Sequence, residues 1–137
     1  MSNALYDQTR YNLLTAALNW LTVDLRLVIW GGVPSFVKTD KKIADIVARG
    51  YTMRGVSQDI LQQSAGADGT AKSGNVIVPL VPIGANITWM TLTIGTVPAS
   101  ADLVMFIDQA NDLPFVPNGL DMLVTPDWAA GRAWFKP

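Results

Sequence analysis

The feature that most constrains the fold is a short apolar run, Leu103 to Ile107, followed by a stretch that cannot form regular structure. Five apolar residues are too few for a buried helix, but they are typical of a strand covered on both faces. Pro114 and Pro117 lack backbone N–H groups, and Asn118-Gly119 favours the left-handed conformations of a tight turn. The segment from residue 108 to 119 is therefore predicted to cross over without pairing.

Further strand patterns surround this crossing. Ile87 to Ile94 is dense in β-branched and aromatic residues, which favours a strand that forms a hairpin with the Leu103 run. Leu120 to Thr125 and Arg132 to Phe135 are also predicted strands. Val76 to Val81 has prolines within it and after it, and since proline cannot donate to a ladder, this strand is predicted at a sheet edge.

Two helices are predicted in the N-terminal third. Ser2 or Asn3 can cap a helix over about residues 4–20. Its apolar residues recur at spacings of three and four. They are Tyr11, Leu14, Leu18 and Leu21. We expect this stripe to pack on a sheet, and the alternative is that it binds a partner subunit. A second helix is predicted over Lys41 to Ala48, with Thr39-Asp40 as its cap and Ile43, Ile46 and Val47 at helical spacing.

Between the helices, Val23 to Trp30 alternates as a strand does, with residues 23, 25, 27 and 29 on one face and residues 24, 26, 28 and 30 on the other. Tyr51 to Leu61 is a weaker extended segment, because Gly55 and polar neighbours leave its register open. Residues 62–74 are rich in Gly, Ala and Ser and too poor in apolar residues to pack, so a flexible loop is predicted there. An exposed loop is the first interpretation, and ordering against a neighbour is the alternative.

Several short strands after one helix favour a mainly β fold. We predict an antiparallel β-sandwich or a strongly twisted sheet, with an N-terminal α-helix and one short additional helix. At 137 residues the chain is long enough to bury its own core as a single domain, residues 1–137, with a β-rich body over about 23–136.

The composition predicts association. Half of the residues are hydrophobic and 15% are charged, against about 25% charged in typical domains. We expect the apolar surplus to cover a contact between subunits. No apolar run reaches the roughly 18 residues of a membrane span, and no classical export signal is present. A net charge of −1 argues against nucleic acid as a partner.

The sequence contains no His, no Cys and no Glu. Nucleophile pairs that need His or Cys, and thiolate metal sites, are therefore excluded. Aspartates gather in the C-terminal quarter, but their spacing matches no calcium loop, and hydrogen bonding to turn backbones is the simpler explanation. They are Asp102, Asp108, Asp112, Asp121 and Asp127. We predict no enzymatic activity, no cofactor and no metal.

The five tryptophans are dispersed, whereas a sugar-binding platform needs several on one exposed face. We expect them in the core or at an interface, where aromatic residues are enriched. The predicted interface lies in the C-terminal strands and the crossing. Its candidate residues are Phe115, Val116, Trp128, Trp134 and Phe135.

The C-terminal third carries a recognisable series of motifs. An apolar strand ends in Ile107-Asp108, Leu113-Pro114 and Pro117-Asn118-Gly119 follow, and an Asp127 turn with Gly131 leads to a terminal Phe135-Lys136. This series resembles the C-terminal half of a family of small structural proteins from tailed bacteriophages. The likeness extends to residues 3–6 and to the helix that precedes residues 25–29, but it fails over residues 58–75.

The resemblance implies a structural role in the virion, assembled in the cytoplasm of the bacterial host. Within it, a head decoration or cement protein is the expected role. Such a protein would self-associate, with a trimer expected because cement proteins often occupy local three-fold positions, and would contact the major capsid protein or other virion proteins. The alternatives are a tail or baseplate component and a carbohydrate-binding module at the tail tip.

Overall fold

The computed structural model describes residues 3–66, 70–95, 101–110, 112–126 and 134. Within them the chain is mainly β, as predicted, and is built on a five-stranded antiparallel sheet with two helices. The elements are β1 (Ala4–Leu5), α1 (Asp7–Leu14), β2 (Leu25–Gly31), α2 (Ile43–Ala48), β3 (Gly55–Val56), β4 (Ser64–Ala65), β5 (Ala71–Lys72), β6 (Val76–Val78), β7 (Ile87–Ile94), β8 (Asp102–Ile107) and β9 (Met122–Val124). The main sheet has the order β1-β8-β7-β2-β3, and β4-β5 and β6-β9 form two smaller sheets.

The centre of the main sheet is the antiparallel ladder β2-β7-β8, whose strands are apolar on both faces. Leu25, Leu27 and Ile29 of β2 enter one core, while Val28 and Trp30 enter a second core on the other face. The predicted alternation in this strand is therefore confirmed. The predicted bounds of β7 and its hairpin with β8 are confirmed as well.

The first core is closed by the small sheet β6-β9. Val76, Val78, Met122 and Val124 point inward from this sheet and are buried. β6 lies close to β3, because a Cβ built on Gly55 would meet Val78 Cγ1 at 2.9 Å. The two sheets thus pack as layers of a sandwich-like fold, and the glycine allows a close approach between them at this point.

The second core is aromatic. Trp30 stacks on Trp89 with ring centroids 5.3 Å apart, and Trp89 lies 5.6 Å from Phe106. α2 packs here through Ile43 and Ile46, which are fully buried. The tryptophan N–H groups are satisfied inside the chain, since Trp30 Nε1 donates to Thr91 Oγ1 at 3.0 Å and Trp89 Nε1 donates to the Gly31 carbonyl at 3.1 Å. Burial raises the pKa of the Tyr6 hydroxyl in the same core.

The N-terminal helix is shorter than predicted. Ala4 and Leu5 pair with β8 as an edge strand, so α1 begins only at Asp7 and ends at Leu14. Asn3 does not cap it: its Oδ1 accepts backbone N–H bonds from Asp108 and Gln109 at 2.9 and 2.8 Å. The prediction of a helix over residues 4–20 missed this pairing, because a long-range contact with β8 is invisible to local periodicity.

The second helix is confirmed, but its cap differs from the prediction. Asp45 Oδ2 accepts the backbone N–H groups of Lys41 and Lys42 at 2.9 and 3.1 Å. Asp40 does not cap; it is buried and forms an ion pair with Arg49. The N–H groups of Lys41 and then of Lys42 hold the pKa of Asp45 below its usual value of 3.8.

The segment of residues 62–74 packs at both ends, contrary to the prediction. β4 pairs with β5 in a short antiparallel ladder, and Thr70 and Ala71 are buried. Gln63 Nε2 donates to the carbonyls of Trp20 and Val23 at 3.0 and 2.7 Å. Backbone and amide bonds to neighbouring segments, rather than apolar side chains, fix these ends in place. The flexibility of the tip stays a prediction.

A Gly55→Ala substitution should destabilise the fold by about 1–3 kcal/mol, because the new methyl group overpacks the contact between β3 and β6. Urea denaturation followed by tryptophan fluorescence measures this cost. In a Val78→Ala background the same substitution should cost less, since the clashing methyl group is gone. An equal cost in both backgrounds would show that the contact with Val78 is not its cause.

The Asp45 cap predicts a pH-dependent stability. A lowered folded-state pKa contributes stability that is present above the unfolded value and is lost as the pH falls through the folded one. Asp45→Asn should therefore be less stable than the wild type at pH 7, and the difference should shrink as the pH is lowered from 3.8. Thermal melts across pH 2–7 check this. For Ala44→Asn, at the adjacent exposed position, the difference in stability from the wild type should not shrink as the pH is lowered.

Candidate association surface

Of the predicted interface residues, the structure describes Phe115, Val116 and Trp134, and these three do not lie together on the surface. Phe115 is half-buried and packs against the first core, and its backbone forms a bridge with Ile87 through N–H···O bonds of 2.9 and 2.8 Å. The crossing therefore does pair, at one point, with the start of β7. Val116 is exposed, as a contact residue should be. Trp128 and Phe135 lie outside the described residues.

Trp134 is a core residue, which corrects its assignment as a surface anchor. Its side chain is fully buried in the first core. The indole Nε1 donates to Ser73 Oγ at 2.7 Å, and the backbone N–H donates to the Ala71 carbonyl at 2.8 Å. A side chain enclosed in this way cannot contact a second molecule while the chain keeps this fold.

The other described tryptophans are also internal. Trp20, Trp30 and Trp89 are at most 8% exposed. Trp20 Nε1 donates to the Lys72 carbonyl at 2.9 Å, which ties the segment after α1 to β5. In the described part of the chain, therefore, no tryptophan offers a face on which a sugar could stack.

A different apolar surface lies on the outside of the β6-β9 sheet. Ile77 is paired with Leu123 across the two strands, and both side chains point away from the core, with 40% and 54% of their surfaces exposed. A sheet with one solvated face normally carries polar residues there. Here the outward positions are aliphatic, so the small sheet is apolar on both sides.

The same surface continues past the ends of the two strands. The Val81 N–H donates to the Leu120 carbonyl at 3.0 Å, which keeps the two chain segments together. Leu80 and Leu120 are 69% and 62% exposed. Leu61 borders the sheet on its other side, where it lines a shallow groove together with Ile77. We call this surface the outer face and define it by Leu61, Ile77, Leu80, Leu120 and Leu123.

Leu80, two residues after β6, adopts a strained backbone conformation. Its φ is +47°, a left-handed value that costs a non-glycine residue on the order of 1–3 kcal/mol. The conformation is stabilised by a bond from the Leu80 N–H to Asp121 Oδ1 at 2.9 Å. Backbone strain of this kind is concentrated at functional positions, and here it accompanies an exposed leucine.

Two aspartates of the C-terminal quarter accept backbone N–H groups, but from residues 13 and 41 positions away, whereas the prediction was local bonding within their turns. Asp112 Oδ2 accepts the Thr125 N–H at 3.1 Å, and Asp121 Oδ1 accepts the Leu80 N–H at 2.9 Å. Asp102 forms an ion pair with Lys42 at 2.7 Å. Among the residues with described positions, no three acidic side chains come together in a way that could hold a metal ion. In the same part of the chain no helix has the length and apolar character needed to cross a membrane.

The Trp134→Ala substitution should lower the free energy of unfolding by about 3–5 kcal/mol, because it leaves a cavity in the core and removes the N–H that donates to Ser73 Oγ. Chemical denaturation at low protein concentration measures this loss. Trp134→Phe should cost less, since it keeps most of the buried volume. A Trp134→Ala protein with wild-type stability and weakened association would restore the residue to the interface.

Comparisons with protein-family models, with curated proteins and with solved structures find no match to this chain. A function must therefore be inferred from its own residues and surfaces.

Proposed function

We propose that this chain is a structural component of a tailed-phage virion, a head decoration or cement protein that self-associates and stabilises the capsid. The observation that carries the self-association is the outer face, in which Ile77 and Leu123 lie on the outer side of a two-stranded sheet and the exposed Leu61, Leu80 and Leu120 lie at its edges. The resemblance of the C-terminal motifs to small phage structural proteins supplies the virion context. The major capsid protein is the partner that a head decoration protein requires.

The outer face is large enough in energetic terms to drive a contact. Complete burial of one large aliphatic side chain contributes roughly 1.5–3 kcal/mol. The five residues are about half exposed, so covering them contributes roughly 4–9 kcal/mol from one partner alone. Association costs about 4–15 kcal/mol in lost freedom. Covering an apolar surface on both partners roughly doubles this contribution, so a contact between two apolar surfaces is much more favourable than one between an apolar surface and a polar one.

The chemistry of the chain supports a structural role over a catalytic one. His, Cys and Glu are absent, which leaves Asp, Lys, Ser, Thr and Tyr as candidate catalytic groups. Asp40 and Asp102 form ion pairs, and Asp45, Asp112 and Asp121 accept backbone N–H groups. These contacts give each of the five carboxylates a structural task, so we propose no reaction for the chain.

Leu80→Gly is the variant that best separates association from folding. Glycine adopts a left-handed φ without strain, so the substitution removes an exposed anchor while relieving the backbone. We expect the wild type to form an oligomer. The Leu80→Gly variant should have a dissociation constant roughly 10- to 100-fold larger. The melting temperature of its monomer should be no lower than that of the wild-type monomer. Light scattering behind a sizing column measures the mass. Val33→Ser, which also removes an exposed apolar side chain but lies in the loop after β2, is the matched control and should leave the mass unchanged.

The head role is tested with emptied phage heads. Heads that receive purified wild-type protein should survive to a higher temperature than untreated heads, and Leu80→Gly should protect them less. A wild type that stays monomeric at high micromolar concentration and gives no protection would contradict the cement role. Protein that oligomerises but neither binds nor protects heads would indicate a tail or baseplate component.

A further inference from the structure

Resting on the proposed self-association, we infer that the contact is head-to-tail: the outer face of one copy binds an apolar patch on α1 of the next copy. The patch consists of Tyr11 and Leu14, which are 66% and 88% exposed. Its occupant is thus a second copy of this chain, joined through two different surfaces.

The α1 patch exists because the helix is attached to the sheet by a polar residue. Thr9 is buried, and its Oγ1 donates to the Val104 carbonyl at 2.7 Å. Tyr11 and Leu14 lie at a spacing of three and share the opposite, solvent-facing side of the helix. The apolar stripe that the sequence predicts to pack on a sheet is therefore left uncovered on α1 by the chain's own fold.

The patch is bordered by positive charge. Arg10 lies one helical turn before Leu14 on the same side. The Lys38 carbonyl accepts the Asp7 N–H at 2.9 Å, so the loop of Lys38 lies at the start of the helix, and Lys41 lines a pocket together with Tyr11. Within the described residues none of these three cations forms an ion pair. Asp7 lines the same pocket, and the carboxylate of Asp45, which accepts the Lys41 N–H at 2.9 Å, lies next to it.

The outer face is bordered by negative charge. Asp121 lies between Leu120 and Met122, and Asp59 lines the groove with Leu61, although Asp59 is paired with Arg26. The two apolar surfaces are therefore complementary in charge to each other and not to themselves.

The two surfaces also lie towards opposite edges of the main sheet. α1 follows β1, the strand at one edge. The outer face is attached at the other edge, where Gln58, two residues after β3, donates its N–H to the Ile77 carbonyl at 3.0 Å. A two-fold contact of the outer face with itself, or of the α1 patch with itself, would place like charges against each other. A head-to-tail contact joins the unlike surfaces and closes into a ring when the rotation between copies permits, which agrees with the proposed three-fold location.

Two variants, each damaged on one surface, test this arrangement. Leu14→Glu places a charge on the α1 patch, and Leu123→Lys places one on the outer face; both positions are exposed, so both variants should fold, which circular dichroism verifies. At a concentration where the wild type is oligomeric, each variant alone should be monomeric. An equimolar mixture should form dimers of one Leu14→Glu chain and one Leu123→Lys chain and nothing larger, because each chain retains one intact surface.

The outcomes separate the possibilities. A mixture that stays monomeric would show that the α1 patch and the outer face do not bind each other, and it would overturn the head-to-tail inference while leaving self-association intact. A Leu14→Glu protein with the wild-type mass would remove α1 from the contact. A wild type that is itself monomeric would overturn the proposed function together with this inference. The dissociation constant of the mixed dimer should also rise at least several-fold between low and high salt, since exposed charge pairs are screened.

Discussion

The structure depends on one constraint: the central ladder β2-β7-β8 is apolar on both faces, so each face must be covered. A ladder that leaves either face in water would expose large side chains such as Leu27 on one side and Trp30 on the other. Two separate layers meet this need. The aliphatic core is covered by β6-β9 and by β5, and the aromatic core by α2 with the loops around it.

The cover over the aliphatic core is thin, and this explains the exposed apolar surface. A two-stranded sheet has little stability of its own, so β6-β9 depends on its packing against the main sheet. The strands alternate strictly, with Val76 and Val78 inward and Ile77 outward. Since the outward positions are also aliphatic, the layer that closes one core offers a second apolar surface. An additional chain placed there would give the sheet the second cover that the main ladder has.

The low charge content is consistent with this picture. Arg10, Lys38 and Lys41 lie in or near α1, and the carboxylate of Asp121 lies next to β9. Such an arrangement contributes little to the stability of the monomer, because exposed charges are worth little in water. In the proposed self-contact it would discriminate between ways of bringing two copies together, which is the usual role of charge at the rim of an apolar contact.

The candidate surface was only partly predictable. The apolar excess indicated a contact, and the prediction that it involves the C-terminal strands stays open, with Val116 and β9 on the surface. The particular anchors were not predictable from the chain alone. Ile77 and Leu123 sit within continuous apolar runs, and such runs signal burial on both sides without saying whether the second cover is the same chain.

What the sequence by itself determined is α2 and the strands β2, β6, β7, β8 and β9, because these follow from local patterns. β7 has its predicted bounds, β8 differs by one residue, and the proline-rich crossing is irregular apart from one bridge. What only the tertiary structure decided is which residues face solvent. Trp134 is buried because β5 and Ser73 are brought to it, and Leu14 is exposed because β1 pairs with β8 and Thr9 anchors the helix. These outcomes depend on contacts between residues some 60 to 100 positions apart, and no local period encodes them.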